Sequence, residues 1–322
     1  MSGWMTTEQL YGWQLALEVK LRRVSGVAFQ DFFADVMTRA HGDDFVPTRP
    51  WGKTGDKGCD GYLASTGEVF ACYGTVDDAA PALSDVKAKM DDDYKKACDH
   101  LGVAMKAWRF VHNMLDGTPT DVTVVKIGEM KVAHPHHSFG VMGRAGFAER
   151  ILKMAEGDII ALIGPAASAQ DTRNMRLELV AELIDATMAA VDKAPAFGGP
   201  DPSPVPAEKL EYNKLPNHWR HTIESQMVNG KLVGEYLKLH PDPLRGPKVG
   251  ELFKTRYAAL KAQALPPGSI MGKLHQAVIG VGAYDNERVV AANALLAYLF
   301  DSCDIFEDKP VEPVPQPVGD AA

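Results

Sequence analysis

The sequence is short of long apolar runs. No stretch approaches the roughly 20 consecutive apolar residues that a membrane-spanning helix needs, so no integral membrane protein is expected. The opening MSGWMTTEQLYGWQ has no basic segment leading into an apolar one, so no secretory signal is expected and the cytoplasm is the expected compartment. Cysteine is sparse: Cys59, Cys72, Cys98 and Cys303 are scattered and form no C-x-x-C pair. That argues for reduced cytosolic thiols rather than a disulfide framework or a zinc site. A G-x-x-x-x-G-K-[S/T] phosphate loop is missing as well, so ATP hydrolysis by that route would need a partner. Nor is there an excess of basic charge: 34 Lys and Arg stand against 42 Asp and Glu, a net charge of −8. Phosphate neutralisation supplies most non-specific affinity for DNA, so DNA binding would have to rely on a local patch. Trp4, Trp13, Trp51, Trp108 and Trp219 are dispersed and offer no stacking platform for single strands. No internal repeat is visible.

What is present fits two domains within 322 residues. EQLYGWQLALEVKLRR reads as a helix. In VAFQDFFADVMTRA, Phe29, Phe32, Phe33, Val36, Met37 and Ala40 fall at helical spacing and make an apolar stripe. CDGYLA and EVFACYG read as strands joined by STG. DVKAKMDDDYKKACDHLG reads as a helix, and WRFVHN and TDVTVVKIG read as strands. RAGFAERILKMA and DTRNMRLELVAELIDATMAAVDK then read as two helices, the second striped by Leu177, Val180, Ala181, Ile184, Thr187 and Met188. This order implies an α/β domain with a mixed sheet over residues 1–193. PAFGGPDPSPVPAE has linker composition and sets a boundary at 194–208. Residues 209–308 are helical in pattern and close on DNERVVAANALLAYLFDSCDIFED. There Asp285 is placed as N-cap, Glu287 lies in the first turn, and a nearly all-round apolar helix needs burial on several sides. The proline-rich tail 309–322 is expected to be disordered.

The segment GDKGCDGYLASTGEVFACYG carries the chemical question. Together with Phe29-Gln30 on the striped helix, Gly55-Asp56-Lys57-Gly58-Cys59-Asp60-Gly61 and Phe70-Ala71-Cys72-Tyr73 resemble the type IV branch of the restriction-endonuclease-like nucleases over about residues 27–75. That resemblance implies a mixed sheet flanked by helices and hydrolysis of DNA phosphodiesters with Mg²⁺ or Mn²⁺. The metal would sit on Asp60, and Gln30, Tyr73 and Lys87 would occupy the remaining catalytic positions. In that chemistry a divalent ion offsets charge developing on phosphorus and acidifies its bound water. Residues i and i+2 of a strand share a face, which is how a carboxylate or amide and a lysine meet the ion. Here Gln30 stands for a glutamate, Ala71 for the second ligand and Tyr73 for the lysine. Glu68 has the wrong strand parity to replace Ala71, whereas Lys87 or Lys89 from the following helix would restore the lysine. A single carboxylate holds Mg²⁺ weakly. Asp60 has a second reading, as a turn residue capping backbone amides beside Gly58 and Gly61.

The helical half gives a second resemblance. NKLPNHWRHTIESQM, VGEYLKLHPDPLRGPKVGELFKTRYAALK and Cys303-Asp304-Ile305-Phe306-Glu307 look like the third component of bacterial ABC-three-component anti-phage systems. That implies a helical domain docking onto an SMC- or Rad50-like ABC ATPase, with a small middle component as a further partner. DNA is an optional ligand and no membrane is involved. Two functional readings follow: a defence nuclease centred on Asp60, or a non-catalytic sensor or adaptor subunit that keeps a degenerate nuclease fold for binding DNA or protein. A cytosolic α/β protein unrelated to defence is the third. His134, His136 and His137 in AHPHHS read as a loop in preference to a zinc site, because no carboxylate or cysteine accompanies them.

Overall fold

A computed structural model describes residues 5–48, 58–75, 82–114, 120–189, 208–280, 285–302 and 304–308. The chain divides into two compact units between Ala169 and Gln170. The expected linker, apart from Glu208, and the expected disordered tail lie outside the described residues.

In the first unit, α1 (Thr7–Arg23) opens on a capping box, with the Gln9 amide donating to Thr6 Oγ1 and the Thr6 amide to Gln9 Oε1. Helix α2 (Gly26–His41) follows, and its stripe Phe29, Phe32, Phe33, Val36 and Met37 is buried. Ala40, which extends that stripe on paper, is exposed at the helix end. Next come β1 (Phe45–Pro47), β2 (Gly61–Leu63) and β3 (Glu68–Tyr73), then α3 (Leu83–Leu101), β4 (Ala107–His112), α4 (Asp121–Ala133), β5 (Ser138–Met142), α5 (Arg144–Ile151) and α6 (Glu156–Ile163). The sheet order is β1-β2-β3-β4-β5, antiparallel from β1 to β3 and parallel from β3 to β5.

Strand alternation assigns the two faces of this mixed sheet to two cores. Phe70 and Cys72 point into a core built by α1, α2, α5 and α6, where the Phe33 ring meets those of Phe45, Phe70 and Phe147. Val69, Ala71 and Trp108 point into a second core with Val86, Met90 and Tyr94 of α3 and Ile127 and Met130 of α4. Each fully buried large side chain contributes about 1.5–3 kcal/mol relative to exposure. Between the layers, Asn113 clamps the end of α1 to the end of β3. Its Nδ2 donates to the carbonyls of Leu21, Val24 and Thr75, and its Oδ1 accepts from the Thr75 amide.

The strand expected in TDVTVVKIG is instead helix α4. Its β-branched run favours a strand locally, but Thr120 caps the helix by accepting from the Thr123 amide. Thr123, Ile127 and Met130 then bury at i, i+4 and i+7, and Val124 and Val125 face outward. Burial on one side overrides propensity here. The strand that actually pairs with β4 is β5, directly after the histidine loop.

The second unit is helical. Short α7 (Ala169–Arg173) lies at the division in the chain, followed by α8 (Leu177–Ala189), α9 (Glu208–Tyr212), α10 (Asn217–Lys238), α11 (Arg245–Ala262), α12 (Pro267–Ile279) and α13 (Asn286–Asp301). Helix α8 follows the expected stripe but belongs to this unit, so the division falls earlier than the proline-rich boundary suggested. Helix α13 starts as expected, with the Asp285 carboxylate accepting from the Arg288 amide at 2.9 Å. From Val290 to Ala297, and again at Leu299 and Phe300, every side chain is buried, wrapped by α8, α10 and α12. It is the central helix of this unit's own core.

Candidate functional site

Asp60 lies in the bend leading into β2, one residue after buried Cys59. The two glycines beside it are required by packing. Gly58 has φ +71°, and a Cβ there would lie 2.2 Å from the Asp93 carbonyl of α3. A Cβ on Gly61 would lie 2.4 Å from the Phe45 ring. The motif therefore seats the chain against α3 on one side and the aromatic core on the other. Asp60 is itself only 9% exposed, and its Oδ2 accepts from the Cys72 amide at 2.6 Å. Its own amide donates to the Phe70 carbonyl at 2.8 Å. Its carboxylate thus acts on the main chain of the neighbouring strand, continuing the ladder where side-chain spacing would otherwise break it.

The other sequence-derived positions are distributed around this bend. Ala71 is fully buried in the α3-side core. Tyr73 packs at the edge of the same core, stacked on Phe110 at 5.8 Å between centroids. Burial first, and then the Asp85 carboxylate, raise the Tyr73 phenol above its usual pKa, while the Lys89 charge opposes them. The lysine of α3 that reaches Tyr73 electrostatically is therefore Lys89, while Lys87 stands half-exposed on the same helix. Lys89 is bound to Asp93 at 2.5 Å, one helical turn on. Gln30 lies on α2, which covers the opposite face of the sheet, the face of Phe70 and Cys72. Strand parity thus places Ala71 and Tyr73 on one side of the sheet and leaves Gln30 on the other, while Asp60 lies in the bend before β2 with its carboxylate on the Cys72 amide. Among the described residues, no group of three or more His, Cys, Asp or Glu is arranged to hold a metal ion. Asp56 and Lys57 of the motif lie outside the described residues.

At the ends of β3 and β4, His112 sits opposite Tyr73 and is wholly buried. Burial pushes it down to about 4, with only the main chain at Met114 opposing, so it is neutral at physiological pH. Cys59 and Cys72 form no disulfide and pack into different cores. The histidine loop packs around Tyr94, whose hydroxyl lies 2.8 Å from His137 Nδ1.

In the second unit, the Asp304–Glu307 segment closes the fold. Ile305 and Phe306 are buried, Phe306 at φ +62° with its ring against Tyr257 and Phe300. The Glu307 carboxylate accepts from the Tyr257 hydroxyl at 2.9 Å and pairs with Lys261. Asn213 donates to the Glu307 carbonyl at 2.7 Å. Fully buried Lys209 donates to the Phe300 carbonyl at 2.8 Å, with its ammonium over the Phe300 ring. Cys303 lies outside the described residues.

These features define a chain with an α/β unit followed by an all-helical unit. Residues 179–307, which make up most of the described helical unit, match the family model of C-terminal domain 10 of the ABC-three component (ABC-3C) systems. By this domain the chain is a component of such a system. No curated protein and no solved structure matches the chain. Among the described residues, no helix is long and apolar enough to cross a membrane.

Proposed function

We propose that this chain is a non-catalytic recognition or adaptor subunit of an ABC-three-component system. In this reading the first unit keeps a restriction-endonuclease-like scaffold without the chemistry, and the helical unit docks onto the ABC ATPase of the complex. The observation that carries it is the 2.6 Å bond from the Cys72 amide to Asp60 Oδ2, with Ala71 buried where the second ligand would stand. A carboxylate turned onto a backbone amide, beside an alanine and a stacked tyrosine, has little left to offer a hard cation that wants several oxygens. The mixed sheet with helices on both faces supports the scaffold half of this reading. The outward side of α10 supports the docking half. It carries Val228 and Leu232, and Leu239 caps its carboxyl-terminal end, with 73%, 41% and 84% exposure.

The test is co-expression with the ABC ATPase of an ABC-three-component system, followed by co-purification and incubation with plasmid DNA and Mg²⁺ or Mn²⁺. A stable complex without cleavage is the expected result. Cleavage that Asp60→Asn abolishes in a folded protein would restore the nuclease reading and its assignment of metal to Asp60. Failure of any ATPase to co-purify would remove the docking half.

A further inference from the structure

The carboxyl-terminal ends of α2 and α5 meet over a cavity of about 340 Å³, lined by Arg39, His41, Glu149, Arg150 and Lys153. It lies near the start of β3, at Glu68, whereas Asp60 lies beside Cys72 near the other end of that strand. We propose that this cavity is a binding site for one compact phosphate group on a small molecule, held by Arg150 and His41 within and by Arg39 and Lys153 at the mouth.

The argument begins with polar atoms that have no partner. Arg150 Nη1 donates to the Gly146 carbonyl at 3.0 Å, but its Nε is buried without an acceptor. His41 Nε2 is also buried without a partner. Leaving such groups unpaired costs about 1–3 kcal/mol each, and native structures rarely leave two at one place without a ligand or water to satisfy them. Basic residues at helix C-termini are common because they answer the dipole. Carbonyls at these two helix ends would therefore be the natural acceptors, yet neither atom reaches one.

Charge accounting agrees. Arg39 is paired with Asp158, Lys153 with Glu149 and Arg109 with Glu68. Arg150 has no carboxylate within ion-pairing distance among the described residues. Burial and then the Arg109 charge hold its pKa below the ordinary value, against Glu149 and Glu68. Burial and then Arg150 do the same to His41, against Asp44 and Glu68. A bound dianion would relieve both groups, and His41 would take up a proton as it binds.

Size and rim decide which anion fits. The volume matches small-molecule pockets, and a half-buried arginine in a concavity suits a group that inserts. Glu149 and Asp158 stand beside the mouth, and Asp43, Asp44 and Glu156 are close by in the chain. Those carboxylates oppose an extended polyanion such as duplex DNA, while one inserted phosphate can pass between them.

The experiment is calorimetric titration of the full-length chain with inorganic phosphate and, separately, with a nucleoside monophosphate. It is paired with NMR titration of His41 in the presence and absence of each ligand. Saturable binding with proton uptake and a raised His41 pKa is expected. Arg150→Gln should weaken binding by about tenfold or more, the size of one charge-assisted bond. Lys153→Glu lies at an exposed position that cannot unfold the unit, and it should weaken binding as well. Lys131→Gln, at an exposed position of α4, should leave binding unchanged. Equal affinity for the two ligands would assign the site to phosphate itself, and tighter binding of the nucleotide would assign it to a phosphate ester. No saturable binding of either ligand at millimolar concentration overturns the proposal. So does binding unaffected by both Arg150→Gln and Lys153→Glu, or a preference for duplex DNA over both small ligands. None of these outcomes depends on whether an ATPase docks or on whether Asp60 holds a metal.

Discussion

Replacing Asp60 separates a carboxylate that holds the main chain from one that is kept for a metal. The Cys72 amide is buried, and its acceptor is a carboxylate oxygen at 2.6 Å. Hydrogen bonds to charged groups contribute about 1.5–3 kcal/mol, and an orphaned buried donor adds its own desolvation cost. Asp60→Ala removes the acceptor and leaves the amide stranded, so the first unit should lose about 2–3 kcal/mol. Asp60→Asn keeps an acceptor oxygen and loses only the charge, so it should cost about 1 kcal/mol. For a unit of this size, each kcal/mol shifts Tm by about 2–4 °C, so Asp60→Ala should melt roughly 4–12 °C lower. Urea melts followed by tryptophan fluorescence give the free energies, and hydrogen exchange at the Cys72 amide reports the bond itself.

A metal ligand behaves in the opposite way. Functional carboxylates are held at a cost to stability, so Asp60→Ala would then be neutral or stabilising. In that case millimolar Mg²⁺ would raise the Tm of the wild type and not of the variant. Unchanged or increased stability of Asp60→Ala, or a Tm rise with Mg²⁺ that depends on Asp60, would refute the reasoning.

Two further predictions concern stability. His112 has a folded pKa of about 4 against 6.5 unfolded, so between those values the unfolded state binds the extra proton. The first unit should therefore lose up to about 3 kcal/mol as pH falls from 6.5 to 4. His112→Phe should flatten urea-melt stability across that window, and an unchanged slope would show that another group dominates. Gly250→Ala should destabilise the helical unit by about 1–3 kcal/mol, because its Cβ would lie 2.7 Å from Asp304 Oδ1. Full wild-type stability by calorimetry would show that Asp304 moves aside freely.

Much of this architecture was legible from periodicity alone. The α2 stripe, the hairpin around STG and the Asp285 cap needed only local spacing, and the structure realises each of them. TDVTVVKIG was misread because Val and Thr favour strands locally, while the capping of Thr120 and the burial of Ile127 and Met130 are tertiary facts. The boundary was drawn at proline and glycine, but α8 packs with the helices that follow it, which composition does not reveal. At the candidate site, the sequence supplied the residues without their directions. Parity placed Ala71 and Tyr73 together, but only coordinates show Asp60 turned onto Cys72 and Lys89, not Lys87, beside Tyr73. The Arg39–His41–Arg150 pocket left no signal, because basic residues in last helical turns are expected for electrostatic reasons alone.

The residues that looked like a signature of the helical unit are consumed by its own packing. Ile305 and Phe306 are buried, Glu307 is engaged by Tyr257, Lys261 and Asn213, and α13 has no apolar side left over. A partner would therefore have to use groups that stability does not need, and the exposed stripe on α10 meets that condition. The two sets should separate experimentally. Glu307→Ala removes the Tyr257 bond and the Lys261 pair, so it should lower stability by about 1–2 kcal/mol, and the folded fraction should still co-purify with the ATPase. Leu232→Glu combined with Leu239→Glu changes residues that are 41% and 84% exposed, so Tm should stay within about a degree of wild type. The same double variant should abolish co-purification, because two buried charges would face an apolar contact. If the double variant keeps its partner, docking occurs elsewhere. If Glu307→Ala loses the partner while remaining folded, the closing segment is itself part of the interface and the division of labour argued from burial is wrong.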